Sequence, residues 1–304
     1  MESGKNGEFF TKAYSMIKLV KRKNINLEKY TACLHRAENY RVYAEHWYLD
    51  TLMQKQWDCF VLNDYEAIMP LPFGKKLGLK YITQPIYCQQ LGVFYTEDFT
   101  VEKFHLFEKK LKRKLVHGYH FNEENQSLLT LHRVNKKNQL LNFPSDYTTY
   151  IKTIRKNRKQ EIAKGLPLNY TIEAKHDDLR FISLLKENYS SIESKLYLEK
   201  LEPLAKEIIN RRKGITVNLS KKNELVASSF YIISNSRLIQ LCNAKKNHLP
   251  FNANTYIVDF VIKNYRSQFE ILDFEGSSIP GVNSFNASFR AETVYYSKYQ
   301  TKIF

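Results

Sequence analysis

Read for hydrophobic period, the chain runs twice through one order of elements: helix, helix, three strands, helix, strand. In the first half, residues 27–37 and 43–53 keep helical spacing. WDCFVLND and EAIMPLPF then read as two strands around the turn Asn63-Asp64, and the strand-like stretch YITQPIYCQQLGVFY follows the Lys- and Gly-rich loop FGKKLGLK. Thr100 is placed to cap the amphipathic helix VEKFHLFEKKLKRKL, and shorter strands lie between Tyr119 and Phe143. The second half opens with the strand YTIEA and helices at 178–192 and 198–212. The hairpin ITVNLS/LVASSFYIIS, the strand RLIQLCNA, the helix TYIVDFVIKNY and the strand FEILDFEGS come next. A helix from Pro280 to Phe289 and the segment ETVYYSKYQ close the chain. The repetition is of architecture, since no residue-level repeat recurs at a fixed period. It confines the chain to an α/β class of α+β character: two open mixed sheets with helices on their faces. The expected division is a flexible leader at 1–15, an N-terminal domain at 16–145, and a basic connecting helix with a C-terminal domain at 146–304. Met16 is an alternative start to Met1.

Composition narrows the partners. Hydrophobic residues make up 43% and aromatics 14%, enough to bury a sizeable core and to argue against a disordered chain. No apolar run reaches the ~18–20 residues of a membrane span, and MESGKNGEFF lacks a signal pattern, so a soluble, cytoplasmic protein is expected. Cys33, Cys59, Cys88 and Cys242 form no C-x-x-C pair, which argues against a disulfide frame or a zinc site. His117-Gly-Tyr-His120 is followed by Glu123 and Glu124 but has no third ligand, so no metal is expected. The net charge of +16 favours polyanionic partners such as RNA, a phosphorylated cofactor or the inner membrane surface, though solvated lysine faces are equally ordinary. Much of that charge lies in DYTTYIKTIRKNRKQEIAKG, expected to be one helix from an N-cap at Ser145 to a stop at Gly165. Its Lys152, Arg155, Lys156, Lys159 and Lys164 lie opposite an apolar side.

Chemistry-bearing residues gather beyond strand ends in the second half, where open α/β sheets bind ligands. The loop after RLIQLCNA supplies Asn243, Lys245, Lys246, Asn252, Asn254 and Thr255 at the start of a helix, a position that favours an anion. Helix capping alone would explain Asn254 or Thr255. In ILDFEGSSIPGVNSF, alternation puts Asp273 and Glu275 on one strand face. Two carboxylates so placed repel unless one is exposed, paired or protonated. Glu275 is the candidate general base, with Asp273 second to it; a salt bridge to the basic helix or a helix cap would account for either acid instead. Gly276 suggests a turn or a close backbone approach. Trp47 and Trp57 are expected in the core.

The run DFEGSSIPGVNSFNASFRAE followed by Tyr295 resembles the C-terminal signature of the FemAB-like acyltransferases. YTTYIKTIRKNRKQEIAKG, RVYAEHWYLD, IMPLPFGKKLGLKYITQP and QQLGVF carry the likeness over roughly residues 16–296. The resemblance implies two tandem GNAT-like domains. It also implies a cleft between splayed fourth and fifth strands of the second unit, with Glu275 and Ser277 beside the acyl donor. The implied activity is amide formation: transfer from acyl-coenzyme A or aminoacyl-tRNA to an amine, either a small molecule or a cell-envelope precursor. The acceptor is expected near Gln84, Gln89, Tyr147 and Arg155, and tRNA is a possible partner. A tandem design needs no second subunit, so either a monomer or a homodimer suits it. Two features depart from the pattern. No glycine occurs between Gly214 and Gly276, where coenzyme A enzymes carry a glycine-containing loop, and Arg290-Ala291 stands where relatives often have Phe-Gly-Ala. A degenerate GNAT-fold protein that binds polyanions or RNA without chemistry is the alternative reading.

Overall fold

A computed structural model describes residues 16–188, 192–276 and 279–301. The leader at 1–15 and Ser277 lie outside them. The smaller sheet has order β1 (Ile17–Lys21), β2 (Trp57–Leu62), β3 (Ala67–Lys76), β4 (Leu79–Ile82), with β5 (Phe94–Tyr95) also on β3, and every pair in it is antiparallel. Helices α1 (Leu27–Arg36), α2 (His46–Met53) and α3 (Val101–Leu111) accompany it. Side chains of Asn26 and Thr100 cap α1 and α3, accepting from the N–H of Lys29 and Lys103. Trp47 and Trp57 are buried as expected.

The larger sheet contains β6 (Tyr119–Phe121), β7 (Val134–Asn142), β8 (Tyr170–Lys175), β9 (Gly214–Lys221), β10 (Glu224–Ser234), β11 (Arg237–Lys245), β12 (Ile271–Asp273) and β13 (Glu292–Tyr299). Its order is β6-β13-β7-β12-β11-β10-β9-β8, so two strands from before residue 145 are hydrogen-bonded into it. Helices α4 (Tyr147–Thr153), α5 (Lys156–Ala163), α6 (Arg180–Asn188), α7 (Ile192–Asn210), α8 (Ala253–Tyr265) and α9 (Pro280–Ser288) complete the chain. The period of two in β10 assigns the faces. Phe230 and Ile232 join a core with α6, α7 and the N-terminal half, while Tyr231 joins a second core with α4 and α8.

Three sequence expectations change. The Lys- and Gly-rich stretch read as a loop is the β3–β4 hairpin, with Lys75 opposite Lys80. Of the strand-like stretch after it, only Tyr81 and Ile82, at the end of β4, and Phe94–Tyr95 are strand. Tyr87 and Gly92 take positive φ there, and in place of a ladder Leu91 makes an isolated bridge to Phe121 while Asn125 Oδ1 accepts from Val93 N–H at 2.8 Å. The basic helix is broken at Ile154, whose backbone is extended, and Asp146 rather than Ser145 caps it. The break lets Ile154 bury itself and lets Arg155 N–H donate to the Ser288 carbonyl at 3.0 Å. No described helix is long and apolar enough to cross a membrane.

Candidate active site

The site grows from the point where two parallel strands part. β11 and β12 pair over only three residues, Arg237–Ile239 against Ile271–Asp273. Beyond them Phe274 N–H donates to the Gln139 carbonyl of β7 at 3.0 Å, while β11 runs on beside β10 alone. Leu241 is bulged out, since Gln240 and Cys242 face the consecutive residues Tyr231 and Phe230. A cavity of about 580 Å³ fills the fork, with Gln240, Asn243, Lys245, Phe274, Glu275 and Asn286 among its walls. Among the described residues no strand pairs with this side of β11 beyond Ile239, so alternate backbone groups along that edge face the cavity.

At the base of the fork the chain makes a strained elbow. Glu275 and Gly276 both have left-handed backbones, with φ of 53° and 46°. For a glutamate that conformation costs about 1–2 kcal/mol. Three contacts hold it: Glu275 N–H donates to Asp273 Oδ1 at 2.8 Å, the Gln89 amide donates to the Glu275 carbonyl, and the Tyr43 hydroxyl donates to its carboxylate. β12 ends at Asp273. The expected shared face of the two acids is therefore not formed, because the left-handed turn swings Glu275 toward the cavity.

Asp273 instead faces a buried charge network. It accepts from Arg237 Nη1 at 2.8 Å and from Asn138 Nδ2 at 3.3 Å. Arg237 also donates to Glu123 at 3.2 Å, and Arg41 donates to Glu123 and Glu124 at 3.1 and 2.8 Å. Burial pushes the Glu275 carboxyl up to about 8; the Tyr43 hydrogen bond pulls it down and the Asp273 charge adds to the rise. An acid in that range is suited to take a proton near neutral pH.

A second cavity of about 520 Å³ touches the other side of the elbow and shares Gly276 with the first. It is lined by Lys136, Lys137 and Lys298 with His120, Tyr296 and Asn283. Burial lowers His120 to about 4, so the ring is neutral; its Nδ1–H donates to the Gln89 carbonyl at 2.9 Å, leaving Nε2 unprotonated. Gly276 is required between the cavities. A Cβ on it would lie 2.5 Å from Asn138 Cα and 2.5 Å from the Lys137 carbonyl oxygen, both backbone atoms. Gly276→Ala should therefore destabilise the protein by roughly 2–5 kcal/mol through backbone strain and overpacking, read as a lower denaturant midpoint at unchanged slope.

The structure gathers some of the sequence candidates and disperses others. Asn243, Lys245, Asn252 and Asn254 line the fork cavity, and Asn243 accepts from Gln240 at 3.0 Å. Lys246 instead pairs with Glu224. Thr255 is buried, donating to Glu161 at 2.6 Å and accepting from Arg158 at 2.7 Å. In the glycine-free loop the left-handed residue is His248, and Arg290 holds a φ of 69° where glycine would be at ease. Gln89 reaches the elbow. Gln84 bonds to the Cys88 carbonyl at 2.6 Å and the His120 N–H at 3.0 Å. Tyr147 donates to Asp259 at 2.5 Å, and Arg155 donates to Ser284 Oγ at 3.1 Å. Neither Tyr147 nor Arg155 lines either cavity. Tyr43, Arg237, Asn138 and the three lysines were not identified from sequence, and Glu123 was noted there only beside His117 and His120. Tyr43 meets Glu275 across 232 positions, and no local pattern encodes that contact.

No family model matches the chain, and no curated protein matches it by sequence. Solved structures do match over nearly its full length. FemX is similar at a TM-score of 0.66 and 10% identity, with 92% of this chain and 97% of that one covered. The C-terminal domain of a putative lysylphosphatidylglycerol synthetase from Agrobacterium fabrum aligns at 0.58 and 9%, covering 90% of each. A tandem GNAT protein from the clavulanic acid biosynthesis pathway aligns at 0.50 and 8%, covering 94% and 98%. The chain has the FemAB-like tandem GNAT fold.

Proposed function

We propose that the protein is an N-acyltransferase that binds an activated acyl donor in the fork cavity and an anionic amine in the lysine-lined cavity. One observation carries this reading: the two cavities meet at Gly276, next to a carboxyl raised to about 8. The donor is an acyl thioester of coenzyme A or an aminoacyl ester of tRNA. Both present an acyl carbonyl on a phosphate-bearing carrier, and the loop with Lys245, Asn252 and Asn254 suits such a carrier. The amine nitrogen attacks the carbonyl carbon, the N–C bond forms, and Glu275 accepts the displaced ammonium proton. The unpartnered β11 edge offers N–H groups to the developing oxyanion. The C–S or C–O bond then breaks, and the departing thiolate or alkoxide takes the proton from Glu275.

Lys136, Lys137 and Lys298 make the acceptor an amine that also bears phosphate or carboxylate, as a cell-envelope precursor would. Lys136→Ala with Lys298→Ala should raise the acceptor KM about tenfold with kcat little changed, the mark of lost ground-state binding. Thermal shift at two salt concentrations separates the donors. Saturable stabilisation by an acyl-coenzyme A assigns a thioester donor. Stabilisation by aminoacyl-tRNA together with aminoacyl transfer assigns the ester. Salt-sensitive RNA binding with no transfer from either donor would replace the enzyme reading with that of a degenerate polyanion binder.

A further inference from the structure

The β3–β4 hairpin carries a feature that the proposed chemistry does not use. Its two-residue tip is Leu77-Gly78, with φ of 50° and 79°. A tip with both residues at positive φ ordinarily takes Asn-Gly or Asp-Gly, so a leucine there is locally disfavoured. Leu77 is 95% exposed and Leu79, one residue past the tip, is 66% exposed. Lys75 and Lys76 are exposed on the facing strand, with Lys76 opposite Leu79. At the foot of the hairpin, Ile82 N–H donates to the Leu115 carbonyl at 2.8 Å and His117 N–H donates to the Ile82 carbonyl at 2.9 Å. The segment that pairs there directly follows the basic run 109–114, in which Lys112 and Arg113 are exposed. Among the described residues, the ion pairs in this region are Lys80 with Asp58, Lys103 with Glu66 and His105 with Glu108, and none involves Lys75, Lys76, Lys112 or Arg113.

We propose that this hairpin tip and the adjoining basic run dock on an anionic lipid bilayer, the two leucines entering the headgroup boundary while the lysines and arginine face lipid phosphates. Two exposed leucines among uncompensated cations match a surface that is apolar beneath an anionic layer. Nucleic acid would use the cations but gain nothing from aliphatic tips. From the foot of the hairpin the chain passes into segment 83–93, whose Gln89 amide donates to the Glu275 carbonyl at the elbow.

The test is sedimentation of the full chain with vesicles of phosphatidylglycerol and phosphatidylcholine in a one-to-two ratio, and with phosphatidylcholine alone. Binding only to the anionic vesicles is expected. Leu77→Ala with Leu79→Ala should lower the partition coefficient about tenfold or more without changing the melting temperature, because both side chains are exposed. Lys112→Ala with Arg113→Ala should weaken binding and flatten its salt dependence. No binding to anionic vesicles, or binding unaffected by the leucine substitutions, overturns the proposal. So does RNA binding that depends on the same cations but not on the leucines when vesicle binding is absent.

Discussion

Replacing Glu275 by Gln is expected to lower kcat by about a hundredfold or more while leaving the melting temperature close to that of the parent, the range a positioned general base contributes. Folding should tolerate the change because the backbone contacts of the elbow, to Asp273 and to Gln89, do not involve the side chain. Glutamine keeps an oxygen to accept from Tyr43. The pH profile gives a second and sharper readout. A base must be ionised to act, and burial raises Glu275 to about 8. The parent rate should climb about tenfold per pH unit on the acid side and level off above about 8. In the variant that limb should vanish and leave a low, flat rate. The sign for stability is opposite. An acid raised on folding is destabilising in its ionised form, so Glu275 lowers folding stability as pH rises from its unfolded value toward 8. The glutamine variant should therefore equal or exceed the parent in stability at alkaline pH. Full activity in Glu275→Gln would remove this residue from the mechanism and turn attention to the unprotonated His120 Nε2 in the neighbouring cavity.

What the sequence revealed and what it hid follow from the range of the interactions. The apolar run in WDCFVL and the helical spacing of Phe104, Phe107 and Leu111 are local; β2 forms on the first, and α3 starts at Val101 as expected but ends at Leu111 rather than Leu115. Glu275, Gly276 and the asparagine loop were legible because they lie next to strand ends whose period is visible. The break at Ile154 was not, because the helix gives way there to bury Ile154 in the second core and to bond Arg155 N–H to the Ser288 carbonyl, far along the chain. The hairpin at Leu77 was misread for a different reason: Lys and Gly suggest a loop, and only pairing across the strand shows otherwise. Nor was the lysine-lined cavity visible, since Lys136, Lys137 and Lys298 converge from two antiparallel strands, β7 and β13. Net charge announced a cationic surface without locating one.

Arg237→Leu is expected to cost about 3–5 kcal/mol of folding stability at neutral pH, the penalty for leaving buried charge unpaired. Arg237 is the cation between two carboxylates, Asp273 at 2.8 Å and Glu123 at 3.2 Å; Arg237 and Asp273 are buried and Glu123 is partly so. Burial raises Asp273 from its ordinary value even with Arg237 beside it. Glu123 ends below its own, since Arg237 and Arg41 together outweigh its burial. The Glu123 contribution is thus fully present above its unfolded pKa and is lost as pH falls through the lower folded value. Without Arg237 the two acids would rise toward protonation. The gap between parent and variant should accordingly be widest at neutral pH and narrow as the solution is acidified, in denaturant titrations over that range. Arg237→Leu combined with Asp273→Asn should recover part of the loss, because the second change removes the charge that the first leaves stranded. The double variant should still transfer poorly, since Asp273 Oδ1 holds the Glu275 N–H and an amide there can present nitrogen instead of oxygen. Stability restored without activity would mark Asp273 as a positioning residue for the elbow; activity restored in full would leave the network a purely structural part of the fold.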